Sequence, residues 1–281
     1  MIKIRQPQVA GAFYPADKTE LQDQLGQFLT LNEKIENDQM VKLLVVPHAG
    51  YIYSGSVAAV GFKQVEGKNV DRVILLGPSH QSWFEGVAID ENDLWETPLG
   101  KVKVDKEFSQ KLIDPENKIN FNSSVHQAEH CLEVEIPFLQ TIFKNFKIIP
   151  LLFGNTNNQT IEKLASLIAK NLEQNTLVVI SSDLSHYPNY DIANLVDQKT
   201  IRSILSGDPE KFEKSIQEEM AIGYPSLETC ACGEKAIKTA MLIAQKLKGR
   251  WQLIKYQNSG DITGDKSRVV GYAALKFSIK K

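Results

Sequence analysis

Apolar residues occur in this chain as short unbroken runs that lead to a histidine. Leu43-Leu44-Val45-Val46 runs into Pro47-His48, and Val73-Ile74-Leu75-Leu76 runs through Gly77-Pro78-Ser79 to His80. A third run, Leu177-Val178-Val179-Ile180, continues as Ser181-Ser182-Asp183-Leu184-Ser185-His186. Unbroken apolar runs predict strands buried on both faces of a parallel sheet, since alternation is expected wherever one face meets water. Proline lacks the N–H for the next ladder bond, so the chain leaves the sheet at Pro47 and presents His48 just past the strand's carboxyl end. A further run at 147–153 (KIIPLLF) predicts another buried strand.

Between these runs the apolar spacing becomes helical. Asp17-Lys18-Thr19-Glu20 resembles a capping box and precedes a stripe of Leu21, Leu25, Phe28 and Leu29. Residues 56–65 read as a helix capped by Ser54 or Ser56. Leu132, Ile136, Leu139 and Phe143 share one helical face, interrupted by Pro137, so either a helix kinks there or a turn precedes a helix that begins near it. Further helices are expected at 160–172, 192–205, 209–221 and 233–247. Segments 86–90 and 102–104 read as an edge hairpin around Pro98-Leu99-Gly100, 120–124 as a loop, and 251–256 with 269–279 as a closing antiparallel pair. The alternation predicts an α/β fold: one domain over residues 1–281, with a mostly parallel central sheet flanked by helices.

Charge and composition narrow the partners. A net charge of −2 from 32 basic and 34 acidic residues, with no basic run, argues against a nucleic-acid partner. No apolar run approaches the roughly 20 residues of a spanning helix, which argues against a membrane role. The first residues lack the apolar core of a signal peptide, so a cytoplasmic protein is expected. Three cysteines, Cys131, Cys230 and Cys232, make no disulfide framework and leave thiols for burial, redox chemistry or metal.

In open α/β sheets ligands bind outside the carboxyl ends of the strands, and three of the five histidines are delivered there. Imidazoles from separate strands plus one anionic ligand leave coordination positions open. The third ligand stays open on the residues alone. Cys232, at the start of the 233–247 helix, is expected to have a lowered thiol pKa from the helix dipole, with Glu228 and Glu234 flanking it. A carboxylate would complete the set of non-haem Fe(II) oxygenases, whereas a thiolate favours copper or zinc while still permitting iron. Cys232 read simply as a small core residue is the alternative. Asp183 and His186, three apart, either pair for acid–base work or leave Asp183 capping its turn. Tyr51 and Tyr53 wall a pocket or pack the core, and Glu129-His130 and His126 either enter a site or take the solvent and capping roles of a helix start, with a structural role favoured for His126.

The chain resembles the Memo family through Val-Ala-Gly-Ala-Phe-Tyr-Pro at Val9 to Pro15, Pro-His-Ala-Gly-Tyr-Ile-Tyr-Ser-Gly at Pro47 to Gly55, and Leu-Gly-Pro-Ser-His at Leu76 to His80. The resemblance continues through Glu-His-Cys-Leu-Glu-Val-Glu-Ile-Pro-Phe at Glu129 to Phe138, Ser-Ser-Asp-Leu-Ser-His at Ser181 to His186, and Cys232-Gly233. That family is similar in fold to class III extradiol ring-cleaving dioxygenases. The resemblance implies a metal set of His48, His80 and Cys232, His186 at an acid–base position with Asp183 beside it, and Phe13 and Tyr53 lining the pocket. A cysteine stands where the dioxygenases carry a carboxylate. The implied activity is therefore iron- or copper-dependent redox chemistry, with zinc less favoured, on an unidentified small molecule or peptide. Two other readings are a binding module with a vestigial cleft, and a hydrolase using Cys232 as nucleophile with His186 or His48 as base.

Overall fold

The computed structural model describes residues 2–31 and 39–280. Its strands are β1 (Ile4–Arg5), β2 (Gln39–Val46), β3 (Arg72–Pro78), β4 (Val87–Ile89), β5 (Leu94–Thr97), β6 (Gly100–Val104), β7 (Ile119–Phe121), β8 (Lys147–Phe153), β9 (Thr176–Ser181), β10 (Gly249–Asn258) and β11 (Gly271–Lys280). Its helices are α1 (Lys18–Thr30), α2 (Tyr51–Lys63), α3 (Lys106–Gln110), α4 (Ile136–Ile142), α5 (Asn158–Asn171), α6 (Tyr190–Leu205), α7 (Pro209–Ile222), α8 (Glu234–Lys246) and α9 (Ser259–Thr263).

The apolar runs form the centre of one sheet, ordered β1-β5-β6-β8-β3-β9-β2-β11-β10. From β6 through β8, β3 and β9 to β2 every pairing is parallel. β11 and β10 extend it antiparallel, as expected for the closing pair. Both faces are covered. Leu43, Val45, Ile74, Leu76, Val178 and Ile180 pack with α5, α6, α7 and α8 on one side. Leu44, Val46, Val73, Leu75, Leu177 and Val179 pack with α1, α2 and α4 on the other. Two-sided burial is the physical reason the runs do not alternate. The chain thus has the α/β architecture expected of it, and no helix among the described residues is long and apolar enough to cross a membrane.

Three local expectations change. The helix read at 56–65 is α2, which begins at Tyr51 with Gly50 as its N-cap, because the Tyr51 amide donates to the Phe13 carbonyl at 2.7 Å. The edge hairpin is β5 with β6; β4 instead pairs antiparallel to β8 and parallel to β7, which occupies part of the expected 120–124 loop. Of the two options at Pro137, the turn is the one observed: a 3-10 turn at Glu133–Glu135 precedes α4, and Pro137 sits in its first turn. There the missing N–H has no helical partner to lose. What matters for function is that β3, β9 and β2 lie side by side, so the loops after them open at one pole of the sheet.

Candidate metal centre

Beyond β2 and β3 the structure brings together His48, His80 and His130, each offering a nitrogen within 4.8 Å of the others. Ring centroids lie 5.2 Å apart for His48 and His80, 5.6 Å for His48 and His130, and 4.9 Å for His80 stacked on His130. Burial, reinforced by the neighbouring imidazoles, drives the His48 pKa well below the ordinary value, and burial lowers that of His130 too. Both rings are therefore neutral, the form in which imidazole ligates metal.

The far nitrogens are already engaged. His80 Nδ1 lies 3.0 Å from Glu129 Oε1, and the same carboxylate accepts the backbone amides of His80, Gln81, His130 and Cys131. Burial pushes the Glu129 pKa up, but these hydrogen bonds outweigh it and hold the carboxyl well below the usual range. An ionised Glu129 makes His80 Nδ1 a donor.

His48 reaches the same state through Ser181, whose Oγ lies 2.8 Å from His48 Nδ1, 2.7 Å from the Cys131 carbonyl and 2.8 Å from Glu135 Oε1. A hydroxyl has one proton. The carbonyl can only accept it, so His48 Nδ1–H and a protonated Glu135 supply the other two bonds. Burial, which drives the Glu135 pKa well above the carboxylate range, makes that protonated form the stable one. Outer-shell partners that fix ligand tautomers change metal affinity about 10- to 100-fold when removed. Glu135→Gln, which keeps a neutral donor, is accordingly expected to leave affinity within about threefold, whereas Glu135→Leu weakens it about 10- to 100-fold in a metal titration. Equal affinities for the two variants would refute the proton assignment.

Cys232 enters from the other side. Its Sγ lies 3.3 Å from His48 Nε2 and 3.7 Å from the Asp183 carbonyl. Gly233 permits that approach: a Cβ there would fall 2.6 Å from Ser182 Cβ, so any larger residue displaces the cysteine turn from the end of β9. The expected lowering of the thiol pKa is not found. Burial, followed by the charge of Asp183, pushes the Cys232 thiol up, because α8 begins only at Glu234 and its dipole acts on a desolvated sulfur. Cys230 faces the other way into the core, and Glu228 is exposed, 3.9 Å from Arg268. Cys232 lines a cavity of about 250 Å³ together with Ser79, Trp83, Asn155 and Lys235.

Asp183 does not orient His186. Its Oδ1 accepts the His48 amide at 2.9 Å, so it braces the His48 loop, while burial raises its pKa to about 7. His186 is held through its backbone, donating to the Thr229 carbonyl at 3.1 Å and accepting from the Glu228 amide at 3.1 Å. Tyr187 follows in the left-handed region at φ 69°, with its amide bonded to Val269. Burial and then the charge of His80 lower the His186 pKa to about 4, and its buried Nε2 has no partner among the described residues. Phe13 packs on His130 at 4.8 Å, and the half-exposed Tyr53 lies beside Gly50.

His130 is the site residue that helical periodicity obscures. Because Pro137 delays α4, residues 127–132 form no helix, and His130 turns inward instead of capping one. Arg5 fixes that segment: fully buried, it lies 2.7 Å from Glu133 and donates to the carbonyls of His126 and Glu129. Glu133 in turn accepts the Gln8 and Val9 amides and the Tyr14 hydroxyl, which ties the Phe13 loop to the same segment. His126 is structural, with Nε2 3.1 Å from the Ala88 carbonyl. A second group of potential ligands, His80, Glu129 and Cys131, shares His80. There Glu129 already accepts its five N–H groups, and the Cys131 thiol donates to the Pro78 carbonyl at 3.1 Å.

Residues 5–276 match the family model described as Memo-like protein. The chain is 36% identical over 281 residues to a MEMO1 family protein of Nitrosopumilus maritimus, covering 98% of this chain and 99% of the other. It is also 36% identical over 290 residues to one from Sulfolobus acidocaldarius, with the same coverages. Among solved structures it is similar to the uncharacterized protein JW3007 from Escherichia coli K12, with a TM-score of 0.51 and 7% identity over 84% of this chain and 99% of that one, a likeness of fold.

Proposed function

Because the chain belongs to the Memo family, we propose that it is a metal-dependent redox protein of that family, acting on a small molecule in the cytoplasm with no nucleic-acid or membrane partner. The observation that carries this reading is the convergence of three imidazoles, with the Nδ1 atoms of His80 and His48 engaged by Glu129 and Ser181. His48 and His80 are the central ligands, His130 completes the imidazole set, and Cys232 is the additional donor. This mixed donor set favours iron or copper over the oxygen-loving divalent ions. Bound there, such an ion would supply one-electron chemistry and Lewis acidity toward an oxygen-bearing substrate.

The chain's own residues prepare the rest. His186, neutral and with Nε2 free, accepts a proton from the substrate. Phe13 keeps water from one side of His130, and Tyr53 stands at the rim. The cavity bounded by Cys232, Ser79 and Trp83 adjoins the site through Cys232. The test is the metal content of protein purified anaerobically without chelators. About one iron or copper per chain is expected. Metal-free protein that takes up neither ion on reconstitution would overturn the reading.

A further inference from the structure

Four consecutive backbone amides hold the turn on which His186 stands. Those of Leu184, His186 and Tyr187 donate to the carbonyls of Gly271 at 2.7 Å, Thr229 at 3.1 Å and Val269 at 2.7 Å. The Ser185 amide donates instead to a side chain, Asp197 Oδ1, at 2.9 Å. Tyr187 keeps φ at 69°, a conformation that a bulky residue rarely adopts and that persists only where its surroundings over-determine it. The turn is therefore held against a local preference, and Asp197 is the one side chain among its four amide acceptors.

Asp197 also breaks the pattern of its own helix. It lies on the buried face of α6 with Ala193, Val196, Thr200, Ile201 and Ile204, and it is 0% exposed. A polar group on a core face is costly unless it is hydrogen-bonded, and such departures from the local pattern are expected at functional sites. Its other oxygen, Oδ2, accepts the Tyr256 hydroxyl of β10 at 2.8 Å. Gly271, the first residue of β11, leaves room for the group, since a Cβ there would overlap the carboxyl. Burial raises the Asp197 pKa to about 7, so both protonation states occur near neutrality, and both present Oδ1 to the Ser185 amide.

We propose that Asp197 is a positioning residue for His186: through the Ser185 amide its carboxyl sets how deeply the imidazole is buried and where the unpartnered Nε2 points. The inference rests on the reading of His186 as the group that accepts the substrate's proton. The side-chain hydrogen bonds of Asp197 run to Ser185 and Tyr256 and none to the imidazole, so its hold on the ring passes through the backbone. What the turn requires is an acceptor of this shape. Asparagine supplies one, with its Oδ1 toward the Ser185 amide and its Nδ2 toward the Tyr256 oxygen.

The test follows the histidine ring resonances of the full-length protein by NMR from about pH 5.5 to 8, the window of an ordinary imidazole, with His186 assigned by its loss in His186→Gln. Burial lowers the wild-type His186 pKa to about 4, so its resonance is expected to be flat across that window. Asp197→Ala frees the Ser185 amide and admits water to the ring, and should bring the His186 titration into the window, toward the ordinary value of about 6.5. Asp197→Asn should stay flat. His126, buried elsewhere with its own pKa lowered to about 4, should stay flat in every variant and reports any general loosening. Gly271→Ala displaces the carboxyl without deleting it, is expected to match Asp197→Ala, and decides the matter where Asp197→Ala does not fold. A flat His186 in the alanine variants, titration of His126 alongside it, or an asparagine variant that behaves as Asp197→Ala would each overturn the proposal. The spectra are taken with and without zinc as a diamagnetic ion, so a chain that takes up no metal, which would sink the proposed function, still returns a result for Asp197.

Discussion

His48→Ala is expected to lower metal affinity roughly a hundred- to a thousandfold while leaving a folded protein. Structural zinc sites with four ligands bind with about 10–16 kcal/mol, so one ligand is worth about 3 kcal/mol, or a little over two decades in affinity. His48 sits at the centre of the group, within reach of His80, His130 and Cys232 at once, so its loss separates the two sides of the site. Truncating a buried side chain also costs about 1–3 kcal/mol of stability, so the variant needs a control that separates the two effects. His126→Gln serves. It is equally buried but bonded to Ala88 and packed edge-on against Trp95 at 6.0 Å, away from the ligand cluster. It should lower the unfolding midpoint and leave metal stoichiometry intact. If both variants lost metal in proportion to stability, the histidine cluster would be a structural device and the metal reading would fall.

Much of this arrangement was legible in the chain because the residues that carry it obey short-range rules. An apolar run with a proline at its end is buried on both faces and releases its next residue at the strand's carboxyl edge, and that places His48 and His80 without knowledge of any partner. The order of strands is what puts them next to each other, and no local rule supplies it. Asp183 shows the limit. Three residues from His186, it matches a helical spacing, yet β9 ends at Ser181, no helix begins before Tyr190, and the carboxylate turns to the His48 amide, a partner 135 positions away.

The buried Arg5–Glu133 pair lay beyond local rules for the same reason. Nothing in Ile4-Arg5-Gln6 distinguishes it from a solvated terminus, because its partner lies 128 positions away. The thiol of Cys232 departs from its expected state on a different ground. Its place before a helix predicts a stabilised thiolate, but desolvation acts on the same atom with the opposite sign, and the neighbouring charge of Asp183 adds to it.

That same competition supplies the sharpest measurement on the third ligand. Since burial holds His48 and His130 neutral and raises the Cys232 thiol, a divalent ion that takes Cys232 as ligand must displace a proton, whereas one held by the imidazoles displaces none from His48 or His130. The sign follows directly: with about one proton released, affinity rises about tenfold per pH unit between pH 6.5 and 8, and with none it is flat. Titration calorimetry in buffers of different ionisation enthalpy counts that proton. The wild type is expected to release about one and Cys232→Ser about none, with affinity lower by roughly 10- to 100-fold near pH 8 and the gap narrowing toward pH 6.5. Full retention of affinity and an unchanged proton count in Cys232→Ser would instead assign the ion to His48, His80 and His130 alone. The thiol 3.3 Å from His48 Nε2 would then be a neighbour of the site and not a ligand.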